Sequence, residues 1–213
     1  MLEILTLVLG PVSTNTYILC DSDSKEAVVI DPAWDGPVIL AESQKRGWEI
    51  KQMWYTHAHF DHIGGAAALA SALDPTPPIA LHLKDFPLWE LGGGGMLFGY
   101  QIKRGPKPNI DLAKVRMLQV GKHAFEVRHT PGHTPGHCIF YCEADEVLFS
   151  GDLIFQRSVG RTDLPGGNSS DLLTSIQTQV FTLPERTRIL SGHGPETSVA
   201  EEKKYNPFVH DMV

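Results

Sequence analysis

The segment Thr56-His57-Ala58-His59-Phe60-Asp61-His62, followed by Ile63-Gly64-Gly65, places four metal-capable side chains within six residues. Ordinary composition would produce H-x-H-x-D-H in a chain of 213 residues well under about once in a thousand times. Imidazole nitrogen suits zinc and iron, and carboxylate oxygen completes the shell of a hard or borderline cation. Four such side chains in six residues cannot easily surround one tetrahedral ion. Alternate histidines followed by an Asp-His pair suit two ions side by side. The competing reading is a His-rich polar surface turn, which composition disfavours.

The elements that must position these groups follow from the apolar runs. Lys51–Thr56 reads as a strand leading straight into the histidines, and Ala66–Leu73 as a helix just behind them. The second half repeats the design. Phe125–Thr130 runs into Pro131-Gly132-His133, Val147–Ser150 into Gly151-Asp152, and Arg188–Ser191 into Gly192-His193. Metal-capable residues therefore sit at the C-terminal ends of four strands, where open α/β sheets bind their ligands. Glu3–Leu9, Thr16–Cys20 and Ala27–Ile30 are further strands, with Asp21–Ser24 as a turn. A helix is expected from Gly36-Pro37, behind Asp35 as N-cap, to Gly47. Ser198-x-x-Glu201 resembles a capping box and announces a last short helix. The less regular Leu83–Asp111, with Gly92–Gly95 beside Phe98 and Tyr100, reads either as a connecting loop with a short helix or as a flap over a pocket.

Composition bounds the class. At 213 residues, one domain over 1–213 is the expectation. Hydrophobic residues make up 42% and charged residues 20%, as in globular proteins. A net charge of -7 argues against a nucleic-acid surface, which needs concentrated Lys and Arg. No apolar run is long enough to span a bilayer, and Met1–Leu5 lacks the basic start of a signal peptide. Cys20, Cys138 and Cys142 form no C-x-x-C pair, and the last two lie too far apart along a strand for a disulfide. Buried free thiols and a cytoplasmic location are expected.

The pieces T-H-A-H-F-D-H-I-G-G, T-P-G-H-T-P-G-H, S-G-D and S-G-H-G, spread from Thr56 to Gly194, resemble the metallo-β-lactamase superfamily. The resemblance implies a four-layer αββα sandwich with a dinuclear metal site between two sheets. V-G-R-T-D-L-P-G-G at Val159–Gly167 and Asn206-Pro207-Phe208 bring the chain closer to the glyoxalase II-like (hydroxyacylglutathione hydrolase-like) branch, in particular its short bacterial members without a C-terminal glutathione-binding helical domain. One divalent ion would be held by His57, His59 and His133, the other by Asp61, His62 and His193, with Asp152 bridging. Zinc is the expected metal, and iron or manganese suit the same donors. The implied reaction is attack of a metal-held hydroxide on a small-molecule thioester such as S-D-lactoylglutathione, with Asp61 and Asp152 at the reacting centre.

Where that branch uses a Lys and a Tyr to touch glutathione, this chain has Arg161 and Asp163. Arg161 either clamps a substrate carboxylate or forms a structural ion pair with Asp163. The Gly-Arg-Thr-Asp string also occurs in the persulfide dioxygenase branch, which uses a single iron at the positions of His57, His133 and Asp152 and oxidises glutathione persulfide. Lactone hydrolysis and a non-catalytic metal-binding module are further alternatives. His82, His123, His129, His137 and His210 fall outside the ligand set. His137 could orient a ligand or be purely structural, and Asp31 could hydrogen-bond a ligating imidazole or cap its turn.

Overall fold

All eight residues of Thr14–Asp21 are buried, the mark of a strand covered on both faces. Its two side-chain rows point into different cores. Ile18 and Cys20 belong to one apolar cluster, Tyr17 and Leu19 to another. A strand between two cores requires a layer on either side, and the computed structural model, which describes residues 1–209, has them.

The first sheet takes its strands in chain order: β1 (Leu2–Leu9), β2 (Thr14–Asp21), β3 (Glu26–Ile30), β4 (Glu49–Trp54), β5 (Ile79–Leu81) and β6 (Ile110–Asp111). β1 to β3 pair antiparallel; from β3 onward the pairs are parallel. The crossovers carry α1 (Gly36–Lys45), α2 (Phe60–Ile63), α3 (Ala66–Ser71) and α4 (Phe86–Glu90). Ile39, Ile63, Leu69 and Trp89 of these helices pack on Ile18, Val29 and Met53.

The second sheet has the order β14-β13-β10-β9-β8-β7. It is built from β7 (Met117–Val120), β8 (His123–His129), β9 (Cys138–Cys142), β10 (Val147–Gly151), β13 (Arg188–Ser191) and β14 (Thr197–Ser198), with the small hairpin β11 (Ile154–Phe155) and β12 (Ser158–Val159) beside it. α5 (Ser169–Ser175) and α6 (Val199–Tyr205) cover its outer face, where Leu172 and Val199 meet Ile139, Leu148 and Ile189. Between the sheets Trp54 stands edge-on to Phe125 at 5.3 Å, and Tyr17 edge-on to Phe149 at 5.1 Å. Truncating one fully buried aromatic of this layer costs about 3–5 kcal/mol. The inter-sheet core thus fixes how the strand ends of the two sheets meet. The architecture is the expected α/β, four-layer αββα sandwich.

Local expectations hold with shifts that have physical reasons. Ser198 caps α6 through the Glu201 amide at 3.2 Å. Asp35 precedes α1 but makes no side-chain cap, because it lies in the left-handed region at φ 46 rather than in the extended backbone that a capping side chain needs. β4 ends at Trp54, two residues early, since the Thr56 amide leaves the ladder for Asp31. All three cysteines are buried and free. Among the described residues, no helix is long and apolar enough to cross a membrane. His210 lies outside the described residues.

Candidate metal centre

β3 and β4 run parallel, and so do β10 and β13. Their C-terminal ends therefore lie side by side, and Asp31, His57, Asp152 and His193 leave from those ends. His59 immediately precedes α2, which carries Asp61 and His62, and His133 follows the end of β8. The structure brings all seven expected ligand residues together.

His59 Nδ1 lies 2.8 Å from His133 Nε2, which lies 3.2 Å from His57 Nε2. Beside this trio, His193 Nε2 is 3.2 Å and His62 Nε2 3.5 Å from Asp61 Oδ2. Asp152 stands between the groups, with Oδ1 3.3 Å from His62 Nε2 and Oδ2 3.6 Å from His133 and 3.5 Å from His193. The close packing demands a missing side chain at residue 192: a Cβ on Gly192 would strike the Asp152 carboxylate and sit 2.7 Å from His62 Cε1.

The residues behind the cluster set which ring nitrogens face it. Asp31, 2% exposed, accepts from the Thr56 amide and hydroxyl, each at 2.7 Å, and from His62 Nδ1 at 2.9 Å. With Nδ1 turned to Asp31, Nε2 is the ring nitrogen that faces the cluster. The Arg161 carbonyl accepts from His133 Nδ1 at 2.8 Å to the same effect. His137 does not orient a ring; its Nε2 accepts the Asp152 amide at 3.2 Å while Nδ1 meets the Thr130 hydroxyl at 2.8 Å. His129 points away and stacks on His82.

The two halves of the cluster differ in protonation: burial keeps His57 and His59 neutral, while the neighbouring carboxylates keep His62 and His193 charged. Burial is the main reason that His57 lies well below its ordinary value and His59 falls to about 3. Burial alone would raise Asp61, but His62 and His193 hold it down to about 2. Burial would likewise lower His193, yet hydrogen bonds to Asp152 and Asp61 lift it to about 9. His62 Nε2 and Asp152 Oδ1 are buried without any hydrogen-bond partner. Such orphaned groups cost about 1–3 kcal/mol each, and metal ions would give each a partner. On these observations the residues present fit divalent metal ions.

Two features were not foreseen from sequence. Asp85, fully buried, accepts from the Ala58 amide at 3.1 Å, the Thr134 hydroxyl at 2.7 Å and the Gly136 amide at 2.6 Å. It ties the H-x-H turn to the T-P-G-H loop. Asn15 and Tyr17 likewise hold the last turn, donating to the Ser191 carbonyl at 2.9 and 2.7 Å.

A cavity of about 410 Å³ opens over the cluster. Its walls are Val12, Phe60, Phe98, Tyr100, Phe155 and Leu164, with Arg161 on its lining. Phe60 stacks on Tyr100 at 5.2 Å and on Phe98 at 5.7 Å. The glycine run serves this wall: Gly93, at φ +66, lies so close to the Phe60 backbone that any Cβ would clash. Leu83–Asp111 is thus packed onto the histidine motif. Arg161 forms the expected ion pair, its Nε and Nη2 gripping Asp163 at 2.7 and 2.8 Å, and it also lines the cavity.

Residues 9–193 match the family model described as the metallo-beta-lactamase superfamily. A probable metallo-hydrolase of Bacillus subtilis, YqgX, is 38% identical over 94% of both chains. The hydroxyacylglutathione hydrolase GloC of Haemophilus influenzae is 33% identical over 88% of this chain and 89% of its own. Among solved structures, the BLEG-1 B3 metallo-beta-lactamase superposes with a TM-score of 0.90 at 39% identity, covering 98% of this chain and 99% of that one. TTHA1623 in a di-iron-bound form gives 0.87 at 39% identity, covering 96% and 99%. ETHE1 from Myxococcus xanthus gives 0.78 at 28% identity, covering 99% and 89%.

Proposed function

The chain belongs to the metallo-beta-lactamase superfamily, and from that premise we propose that it is a metal-dependent hydrolase, a glyoxalase II-like thioesterase cleaving S-D-lactoylglutathione or a related thioester. The observation that carries the reading is the position of Asp152, whose two oxygens reach histidines of both clusters at 3.3 to 3.6 Å. In this reading His57, His59 and His133 hold one divalent ion, Asp61, His62 and His193 hold a second, and Asp152 serves both. Zinc is the expected ion, with iron or manganese fitting the same donors. When bound, the ions would polarise the substrate carbonyl and bring a water's pKa towards neutrality.

The chain's own residues supply the rest. Asp61 Oδ2 accepts from Thr14 Oγ1 at 3.0 Å, which fixes a carboxylate able to take the proton of an attacking water. The apolar walls exclude bulk water and receive the acyl group. Arg161, held by Asp163, presents its guanidinium to a substrate carboxylate. The similarity to a hydroxyacylglutathione hydrolase over most of both chains supports the thioester class. His57, His133 and Asp152 alone also make a two-histidine, one-carboxylate set, which supports a second reading, a mononuclear-iron persulfide dioxygenase.

The test is S-D-lactoylglutathione cleavage by the wild type and Asp152→Ala, with metal content measured on both. Asp152→Ala should lose at least one ion and most activity. Full metal content in that variant overturns the shared ligand. Oxygen uptake with glutathione persulfide, without thioester cleavage, selects the second reading.

A further inference from the structure

At the opposite end of the sandwich a different donor set converges. β8 starts at His123 and β9 ends at Cys142, and seven residues of strand span roughly 20 Å. The cluster is therefore remote from the centre described above. His123 Nδ1 lies 2.7 Å and Cys142 Sγ 3.3 Å from the same oxygen, Asp145 Oδ2, and one ligand atom from each residue falls within 4.8 Å of the others. His123 is only 8% exposed, yet its Nε2 is buried with no hydrogen-bond partner. That nitrogen faces Asp21 Oδ1 across 3.8 Å.

We propose that His123, Cys142 and Asp145 form a separate metal site for a borderline, thiolate-seeking cation such as Zn2+, with Asp21 as the carboxylate behind the imidazole. Nitrogen, sulfur and oxygen donors together favour zinc over magnesium or calcium. Donors around a tetrahedral zinc stand about 3.3–3.6 Å apart. The sulfur–oxygen separation already matches, and the nitrogen–oxygen pair must open by about half an ångström. His123 and Asp145 line a groove of about 800 Å³, which leaves a fourth position open to water. Asp21 is not a fourth ligand, because it faces Nε2, the ring nitrogen turned away from Asp145.

The proton balance accounts for the orphaned nitrogen. Binding releases the Cys142 thiol proton to solvent and moves the imidazole proton from Nδ1 to Nε2. Nε2–H then points at Asp21, giving the carboxylate–histidine–metal relay that fixes a ligating ring. The site would join the β7–β8 and β9–β10 turns to the end of β2, and so the second sheet to the first. Metal binding there is folding free energy.

Cobalt distinguishes this site from the other centre, whose donors are nitrogen and oxygen only. The protein is titrated with Co2+ until every site is filled and followed in the near ultraviolet. A thiolate-to-cobalt charge-transfer band should reach the intensity of one cobalt–thiolate bond per chain. It should fall to baseline in Cys142→Ser and His123→Ala and persist in Cys20→Ser. Asp145→Asn, which keeps the residue's shape, should weaken cobalt binding at least tenfold. A wild type without the band, a band that survives Cys142→Ser, or unchanged affinity in Asp145→Asn overturns the proposal. None of these readouts depends on hydrolase activity, so failure here and failure of the thioesterase reading are separate results.

Discussion

Replacing Asp85 by alanine should uncouple the two loops that carry three of the candidate ligands, His57, His59 and His133. Ala58, which donates to Asp85, lies between His57 and His59; Thr134 and Gly136 follow His133. The substitution leaves the Ala58 and Gly136 amides buried without acceptors, at about 1–3 kcal/mol each. The Thr134 hydroxyl can rotate to another partner. Part of the loss is recovered, because burial has already pushed the Asp85 carboxyl above its ordinary value against the lowering effect of those three donors. A net destabilisation of about 2–4 kcal/mol results. Metal affinity should fall about 10–100-fold, as for other groups that orient ligands. Denaturant unfolding of the metal-loaded protein, with the slope checked for constancy, and chelator competition read the two effects. Asp85→Asn keeps one acceptor oxygen but turns an NH2 towards a donor, so it should fall between wild type and alanine. A change under about 0.5 kcal/mol, the range of ordinary surface substitutions, with unaltered metal affinity would refute this role for Asp85.

Other perturbations test neighbouring parts of the account. In Asp31→Asn the amide NH2 facing His62 Nδ1 forces the proton onto Nε2, so metal affinity should drop about 10–100-fold with the fold intact; equal affinity by chelator competition contradicts the tautomer argument. Phe98→Ala removes one of the four aromatic rings of the cavity wall and should lower kcat/KM for bulky acyl thioesters about fivefold while sparing small ones; a uniform loss across acyl sizes would mean that Phe98 does not line the acyl site. His82 stacks on His129 with centroids 4.2 Å apart, and burial, then His129, lowers it from 6.5 to about 4. The unfolded chain therefore binds this proton first, and the stability present above pH 6.5 is lost as the pH falls towards 4. The loss is on the order of 1–2 kcal/mol after allowance for solvent screening. His82→Phe should flatten that part of the denaturation profile, and an unchanged slope would place the titration elsewhere.

What could be read in the sequence depended on how local its cause was. The ligand-type residues stood out because each follows an apolar run and a glycine or a tight turn, and four strand ends in one α/β chain converge. Asp31 was visible as an acid at a strand end, though only the fold shows it sharing Oδ2 between Thr56 and His62. Asp85 was invisible, since its partners lie 27, 49 and 51 residues away in the chain and nothing near it marks a buried acceptor. Asp35 illustrates the reverse error. Its type promises a cap, but its backbone is left-handed rather than extended and the cap is not made. The glycines at 92–95 admitted either a loop or a flap because permissiveness does not say what approaches; Phe60 does.

Whether two ions share Asp152 is decided by purifying the protein without added metal or chelator, measuring ions per chain, and locating them by anomalous diffraction. Two ions are expected at the cluster, one beside His57, His59 and His133, the other beside Asp61, His62 and His193, both in contact with Asp152. A single iron on His57, His133 and Asp152, with no ion beside Asp61 and His193, would contradict it.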